Sequence, residues 1–165
     1  MKHFLTIALF FCIAISPAQI KLEITPQGLI PLELKTPNRP IDQLLQTSKS
    51  WAPYYNKNGF DVSEVTLNSL TIEAKVENAF YSYNVGVKYN HDIRYKLEIE
   101  FNENQTYSLR ISVKEIYAEN VLMKTTLADF FTAEGKLKDD FKDAKPSLEN
   151  TLNRVLNSYV NFVNQ

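Results

Sequence analysis

The sequence predicts an α+β fold, a two-layer sandwich in which an antiparallel sheet of about five strands carries two helices on one face. Two segments in the middle of the chain alternate between apolar and charged or polar residues, as strands with one buried side do. Two further segments, one before and one after them, repeat apolar residues at helical spacing. A sheet with one apolar face and two amphipathic helices to cover it is the basis of this prediction.

The first eighteen residues have the pattern of a secretory signal peptide. A short basic start precedes an apolar run over 4–15, and a Ser-Pro-Ala tripeptide then supplies small residues up to Ala18. The run is too short to span a membrane, which takes roughly 20 apolar residues. We therefore expect removal of residues 1–18, a single α+β domain over 19–165, and export to the periplasm or the medium.

Composition excludes several kinds of chemistry from the exported domain. The one cysteine of the chain, Cys12, lies in the predicted leader, where the bulky residues that precede it argue against lipid attachment. The domain therefore lacks disulfides, thiolate metal sites and a cysteine nucleophile. Charges of both signs are scattered and the formal net charge of the whole 165-residue chain is −1, so no basic surface for nucleic acid is indicated. No cofactor and no second membrane-length apolar segment is predicted.

The first third of the domain is predicted to be an extended segment followed by a helix. Residues 20–35 begin with apolar alternation and contain a turn signal at 26–28. A cluster of breakers over 36–40 precedes a helical apolar stripe over 40–56. Pro53 is expected to kink or loosen that helix, because proline removes a backbone donor and clashes with the preceding turn.

Four strands are expected next. They cover residues 60–65, 72–76, 93–101 and 107–113. The third is the clearest, since one face is wholly apolar and the other wholly charged. Alternation slips after Val113, which predicts a bulge or a strand end.

The hairpin between the last two strands has a preferred register. Pairing Ile99 with Leu109 keeps the apolar faces together and also sets Glu98 opposite Arg110. A slip of two residues would instead oppose two cations. We therefore favour the first register, although each such pair is worth only about 0.2–1 kcal/mol.

The remainder of the chain is predicted to end in a long helix. Residues 127–131 indicate a short helical turn, and 136–145 a charged, exposed stretch. An amphipathic helix begins at Pro146 and runs close to Gln165, with its polar residues mostly facing away from the sheet. Those polar residues are Glu149, Asn150, Asn153, Arg154, Asn157, Ser158 and Asn161.

Five features of the domain form a pattern: the helix with Trp51, the strand Leu70-Thr71-Ile72, residues 91–99, residues 106–111 and the closing helix. With these features, most of the domain resembles a bacterial family of small exported domains of unknown function, described as having a TATA-binding-protein-like (TBP-like) fold. The resemblance implies a TBP-like fold and export. It implies no activity, and the fold label does not imply DNA binding.

Two patterns invite a catalytic interpretation. His91 is the one histidine outside the leader, so a Ser-His-Asp triad would need it together with Asp92. Neighbours on a strand point to opposite faces, and we therefore expect no catalytic role. Glu98 and Glu100, roughly 6–7 Å apart along a strand, have a spacing found in glycosidase carboxylate pairs, but any charged strand face has it too.

A third pattern concerns metal binding. Asp139, Asp140 and Asp143 are close in sequence. They lack the glycine turn and the alternating oxygen ligands of a calcium loop. A solvated charged loop is the simpler interpretation, and no metal site is predicted.

The aromatic run over 80–89 is the candidate binding segment. If a hairpin tip lies at residues 84–86, then Tyr81, Tyr83 and Tyr89 can stand exposed as a binding patch, because tyrosine offers a large, stiff and partly polar contact surface. The alternative is that alternation places all three on the buried face, where they pack in the core or at its rim.

These patterns predict an exported envelope protein that acts as a non-catalytic binding or assembly module for an unknown protein partner. The alternative is a binder of a small apolar ligand or lipid, held in a cleft between sheet and helix with residues 81–89 at its mouth. A third hypothesis is a hydrolase that uses paired carboxylates.

Overall fold

A computed structural model describes residues 20–165, so the predicted leader and Cys12 lie outside the described residues. Over this range the chain forms an antiparallel sheet covered by two helices, which confirms the predicted α+β class. The strands are β1 (Leu32–Lys35), β2 (Phe60–Thr66), β3 (Ser69–Asn84), β4 (Val87–Phe101), β5 (Thr106–Ala118) and β6 (Val121–Leu122). The helices are α1 (Ile41–Tyr55) and α2 (Ala144–Val163).

The sheet follows from consecutive hairpins. Strands β2 to β5 pair in chain order, β1 pairs with the outer side of β5, and β6 also pairs with β5. The β4–β5 register joins Ile99 to Leu109 and Glu98 to Arg110, as predicted. The predicted irregularity is present as well, because the register shifts just after Val113.

The two layers are solidly packed. Trp51 of α1, Tyr159 of α2 and Leu97 of β4 each have 0 % of their surface exposed. The Trp51 ring stacks on Tyr55 and meets Tyr159 edge-on, both at 5.2 Å between centroids. Large side chains of both layers thus fill the space where the alternative hypothesis placed a ligand cleft between sheet and helices.

Helix α1 continues through Pro53 and ends at Tyr55, so the proline does not break it. Proline removes one backbone donor, but here it falls in the last turn. Asn56 closes the helix: its backbone N–H and its side-chain amide both donate to the Ala52 carbonyl, at 3.0 and 2.9 Å.

The opening segment has the predicted turn at 26–28, where Thr25 and Gly28 exchange backbone hydrogen bonds of 3.1 and 2.9 Å, but it joins the sheet only in part. Only Leu32–Lys35 joins the sheet, whereas residues 20–24 lie along α2. Asn157 accepts from the Ile20 N–H at 3.0 Å and donates to its carbonyl at 2.9 Å. Asn153 does the same for Leu22, at 2.6 and 3.3 Å.

Glu149 continues this series of hydrogen bonds between α2 side chains and the backbone of residues 20–24, which we call the ladder. Its Oε1 accepts from the Ile24 N–H at 2.8 Å. Glu149, Asn153 and Asn157, predicted to face away from the sheet, therefore bind residues 20–24 and do not simply face solvent. Residues four apart on a helix rise about 6 Å, close to the roughly 6.6 Å of two strand residues. One side of α2 can thus replace a neighbouring strand.

The stretch between β6 and α2 is largely irregular. It contains 3-10 turns at Leu127–Phe130 and Asp139–Phe141, the first of which confirms the predicted helical turn. The Phe130 ring is fully buried and stacks on Phe141 at 4.4 Å between centroids. Helix α2 then begins at Ala144, two residues before the predicted start.

Candidate ligand pocket

A pocket of about 310 Å³ lies where the β3–β4 hairpin extends past the end of β5. We call it the end pocket. Its walls come from that hairpin, from β5 and from the irregular stretch before α2. Its apolar wall residues are Phe80, Ile116, Met123, Phe130 and Phe141.

A tight turn builds the hairpin. Strand β3 ends at Asn84 and β4 begins at Val87, so Val85 and Gly86 form a two-residue connection with φ of 48° and 76°. Positive φ at both positions is the signature of a type I′ turn. The predicted tip at residues 84–86 is confirmed. Val85 is 96 % exposed and adopts a backbone conformation that branched residues rarely take.

An irregularity in β3 determines which residues of this strand face the pocket. The β3–β4 register shifts between Val76 and Phe80, with Asn78 at a φ of 50°. Contacts hold it from two sides: the Asn78 N–H donates to Asp92 at 2.9 Å, and Thr151 of α2 donates to the Ala79 carbonyl at 2.6 Å. The shift leaves Phe80 buried and directly opposite His91.

His91 forms the polar floor of the pocket with Ser82. Its Nε2 lies 2.8 Å from the Ser82 hydroxyl oxygen, and its ring stacks on Phe80 at 4.6 Å between centroids. Only 6 % of His91 is exposed. Burial lowers the pKa of His91 below its ordinary 6.5, although the Asp92 charge and a backbone contact with Tyr117 oppose this. The imidazole is therefore neutral at pH 7.

Asp92 does not orient this histidine. Its carboxylate lies 3.0 Å from Lys75 Nζ, on the opposite face of the sheet from the pocket. Burial alone would raise the pKa of Asp92, but the Asn78 N–H and Lys75 hold it below its ordinary value. His91 Nδ1 is buried and makes no hydrogen bond of ordinary geometry within residues 20–165. Asp92 and His91 thus lie on opposite faces of the sheet, as strand alternation predicts.

The three predicted tyrosines do not share one face. Tyr83 pairs with Lys88 and Tyr89 pairs with Ser82, so Tyr81 and Tyr83 lie on one face and Tyr89 on the other. A two-residue turn pairs odd positions with even ones, which is why simple alternation gave the wrong grouping. Tyr83 is 47 % exposed and borders the end pocket although its side chain lies on the opposite face, whereas Tyr89 is 39 % exposed and lines a separate groove.

The opposite side of this hairpin carries its own aromatic cluster. The Tyr81 and Tyr83 rings meet edge-on at 5.8 Å between centroids. Lys88 Nζ lies 4.3 Å from the centre of the Tyr81 ring. A cation therefore already rests on an aromatic face in this part of the molecule.

The paired carboxylates lie elsewhere. Glu98 and Glu100 border a shallow depression of about 220 Å³ on the outer sheet face, together with Arg110. Glu98 accepts from Lys96 at 2.8 Å and is paired with Arg110 across the strands, so cations flank it on two sides. Glu100 is exposed and is paired with Ser69 and Ser108 on the neighbouring strands.

The rest of the outer face is also charge-balanced. Arg94 contacts Asp61 at 3.0 Å and Glu73 at 3.4 Å, beside a groove of about 500 Å³. Across residues 20–165, no three His, Cys, Asp or Glu side chains cluster closely enough to hold a metal ion. Within the same range, no helix has the length and hydropathy needed to cross a bilayer.

Sequence reasoning missed Ser82, Asp140 and the two phenylalanines before α2 as pocket residues. The Ser82–His91 contact was accessible in principle, since a two-residue turn at 85–86 sets the register that brings the two strands together here. The contribution of Phe130 and Phe141 could not be predicted from the sequence, because an irregular segment has no periodicity that fixes where its side chains point.

Comparison with known proteins identifies the fold. No protein-family model and no curated protein matches this chain. A TBP-like protein from Parabacteroides distasonis superposes with a TM-score of 0.56 at 14 % identity, covering 81 % of this chain and 90 % of that one. A DUF4468 family protein from Bacteroides ovatus gives a TM-score of 0.52 at 11 % identity, covering 86 % and 84 %. The predicted TBP-like fold is confirmed; identities this low show the fold alone.

Proposed function

We propose that this TBP-like domain is an exported, non-catalytic binding protein of the cell envelope that holds a small, mainly apolar molecule in the end pocket. The observation that carries the proposal is a concave site with aromatic and aliphatic walls and one recessed polar pair, His91 and Ser82. A volume of about 310 Å³ is at the small end of ligand pockets. Export rests on the leader pattern of residues 1–18.

The pocket walls support binding because they are held in place before any ligand arrives. Phe130 lies against Phe80 at 6.2 Å and against Phe141 at 4.4 Å between ring centroids. Both Phe80 and Phe130 are buried. A preformed apolar wall reduces the ordering cost of association, so most of the apolar contact contributes to affinity.

The polar pair supports orientation rather than chemistry. If the Ser82 hydroxyl donates to His91, its oxygen still has lone pairs that can accept from a ligand. A serine nucleophile requires a base that a third group holds in place, and the carboxylate next to His91 is bound to Lys75 on the other face. We therefore assign binding to this pair.

A second candidate is an assembly role through the hairpin tip. Residues 87–90 of β4 extend past β5, and no strand of the described chain pairs with their outer side. Val85 is almost fully exposed, and Val87 and Tyr89 are also exposed. Unpaired strand edges with apolar residues are sites where a partner strand can add.

The test is an NMR titration of the 19–165 protein with small neutral aromatic and alkyl compounds. We expect shift changes in the pocket residues and at least tenfold weaker binding in Ser82→Leu, which fills the pocket. Ser112→Leu is the matched control, because Ser112 lies on β5 away from the end pocket. Shift changes confined to residues 85–90, or none, would contradict the proposal. Ester hydrolysis lost in Ser82→Ala would assign catalysis instead.

A further inference from the structure

We propose that the ligand of the end pocket carries a positively charged amine or quaternary ammonium group next to its apolar part. This inference rests on the proposed function and names the class of molecule. It depends on three properties of the pocket: the sign of its charge, the kind of side chain in its walls, and the hydrogen-bonding groups within it.

The charge of the pocket is negative. Asp140 is the one carboxylate among the residues that line it, and neither lysine nor arginine lines it. His91 adds no charge at neutral pH, because burial lowers its pKa. The anionic head of a fatty acid would approach Asp140 with no cation to balance it, so the lining disfavours anionic lipids.

The lysines near Asp140 in sequence do not cancel its charge inside the pocket. Lys138 directs its Nζ to the Asp129 carbonyl, at 2.9 Å. Lys142 is exposed, and neither lysine is part of the lining. Asp140 is thus the charged residue in the lining of this pocket.

The walls supply the second property. Three aromatic side chains lie on the pocket side of the lining, namely Phe80, Phe130 and Phe141. Aromatic faces attract ammonium groups, more strongly where water is excluded. Phe80 and Phe130 are buried and form the interior, whereas Phe141 is partly exposed nearer the mouth. Aromatic rings together with one carboxylate are the groups that recognise organic cations.

The third property is hydrogen bonding. Thr125 and Asn84 join Ser82 in the lining, and the oxygens of all three can accept from an N–H donor. A primary ammonium group has three donors to satisfy, whereas a quaternary group has none. The pocket therefore suits a primary or secondary amine through these oxygens and a quaternary group through the rings.

The test compares three compounds of similar size and different charge: 2-phenylethylammonium, 2-phenylethanol and phenylacetate. Affinities for the 19–165 protein are measured by NMR titration at low salt. We expect the cation to bind about fivefold or more tightly than the alcohol, as a partly exposed charge pair allows, and the anion to bind most weakly. Added salt should reduce the preference.

A matched pair of variants isolates the carboxylate. Asp140→Asn should lower the affinity for the cation to that for the alcohol and leave the alcohol unaffected. Asp139→Asn changes the neighbouring residue of the same turn, which does not line the pocket, and should leave all three affinities unchanged.

The outcomes separate the two proposals. If the alcohol or the anion binds in the pocket as tightly as the cation, or if Asp140→Asn keeps the preference, the assignment of an organic cation is wrong while the binding function stands. If none of the three compounds, nor the neutral panel, perturbs the pocket residues, the proposed function is wrong and this inference fails with it.

Discussion

At the scale of single residues, His91 shows how burial and hydrogen bonding together define a site. The imidazole stacks on Phe80, contacts the Ser82 hydroxyl and is almost completely removed from solvent. Burial disfavours the charged form, so the folded protein binds a proton at this position less readily than the unfolded chain does.

This difference gives a pH dependence with a definite sign. Because the pKa of His91 is lower in the folded state than its ordinary 6.5, the unfolded state gains the proton first as pH falls. The free energy of unfolding should be constant with respect to this group above about pH 6.5 and decrease as pH falls towards the folded pKa. Urea unfolding of the 19–165 protein between pH 7.5 and 5 measures this decrease.

His91→Gln is the variant that isolates the effect, since no other histidine lies after residue 18. It should flatten the decrease between pH 6.5 and 5. The lowered pKa of Asp92 affects stability only near and below its ordinary 3.8, outside this window. An identical pH slope in both proteins would contradict the assignment of a neutral buried imidazole.

At the scale of elements, α2 performs two tasks. Its apolar side covers the sheet, and the ladder of Glu149, Asn153 and Asn157 binds the backbone of residues 20–24. Helical periodicity predicted the first task correctly. It assigned the ladder residues to solvent, because an amide beside an apolar stripe has the same pattern whether it meets water or a backbone segment.

The ladder gives a stability prediction. Asn153→Ala removes both hydrogen bonds to the buried Leu22 and leaves its backbone groups unsatisfied, which should cost about 1–3 kcal/mol of unfolding free energy. Urea unfolding measures the cost, and hydrogen exchange at the Leu22 amide should accelerate more than exchange at Leu97. Asn150 lies three residues earlier in α2 and is exposed, so Asn150→Ala should be neutral or slightly stabilising.

If Asn150→Ala and Asn153→Ala have equal stability, the hydrogen bonds from α2 contribute nothing and residues 20–24 are held by Leu22 and Ile24 alone.

The β3–β4 hairpin is the second instructive element. A tip at 84–86 follows from the sequence, since glycine there permits the positive φ that a tight turn needs. The register shift between Val76 and Phe80 does not follow from the sequence. Contacts from Asp92 and Thr151 stabilise it, and Thr151 is distant in sequence. The pocket depends on both features.

At the scale of the whole molecule, fold and function separate. The chain shares its TBP-like fold with proteins only 11–14 % identical to it, so the architecture tolerates almost complete replacement of side chains. What this chain can bind depends on its own surface, where the outer face pairs its charges internally and the end pocket keeps one carboxylate among aromatic rings.

The predicted leader gives a prediction at this scale. Expression of the whole chain in a bacterial host should yield an exported protein that begins at Gln19, as intact mass and N-terminal sequencing can show. Ala18→Phe should block processing, because signal peptidases require a small residue before the cut. A protein that keeps Met1 and stays in the cytosol would contradict export, and an acylated Cys12 would contradict the expected cleavage site.

The sequence by itself determined the elements whose periodicity is regular: the central strands and their register, both helices, and the layer order of an α+β sandwich. These follow from local alternation between apolar and polar residues, which any buried face imposes. Tertiary structure alone decided where residues 20–24 and 123–141 pack and which side chains meet in the end pocket. Contacts of that kind join residues far apart in the chain, and no local period records them.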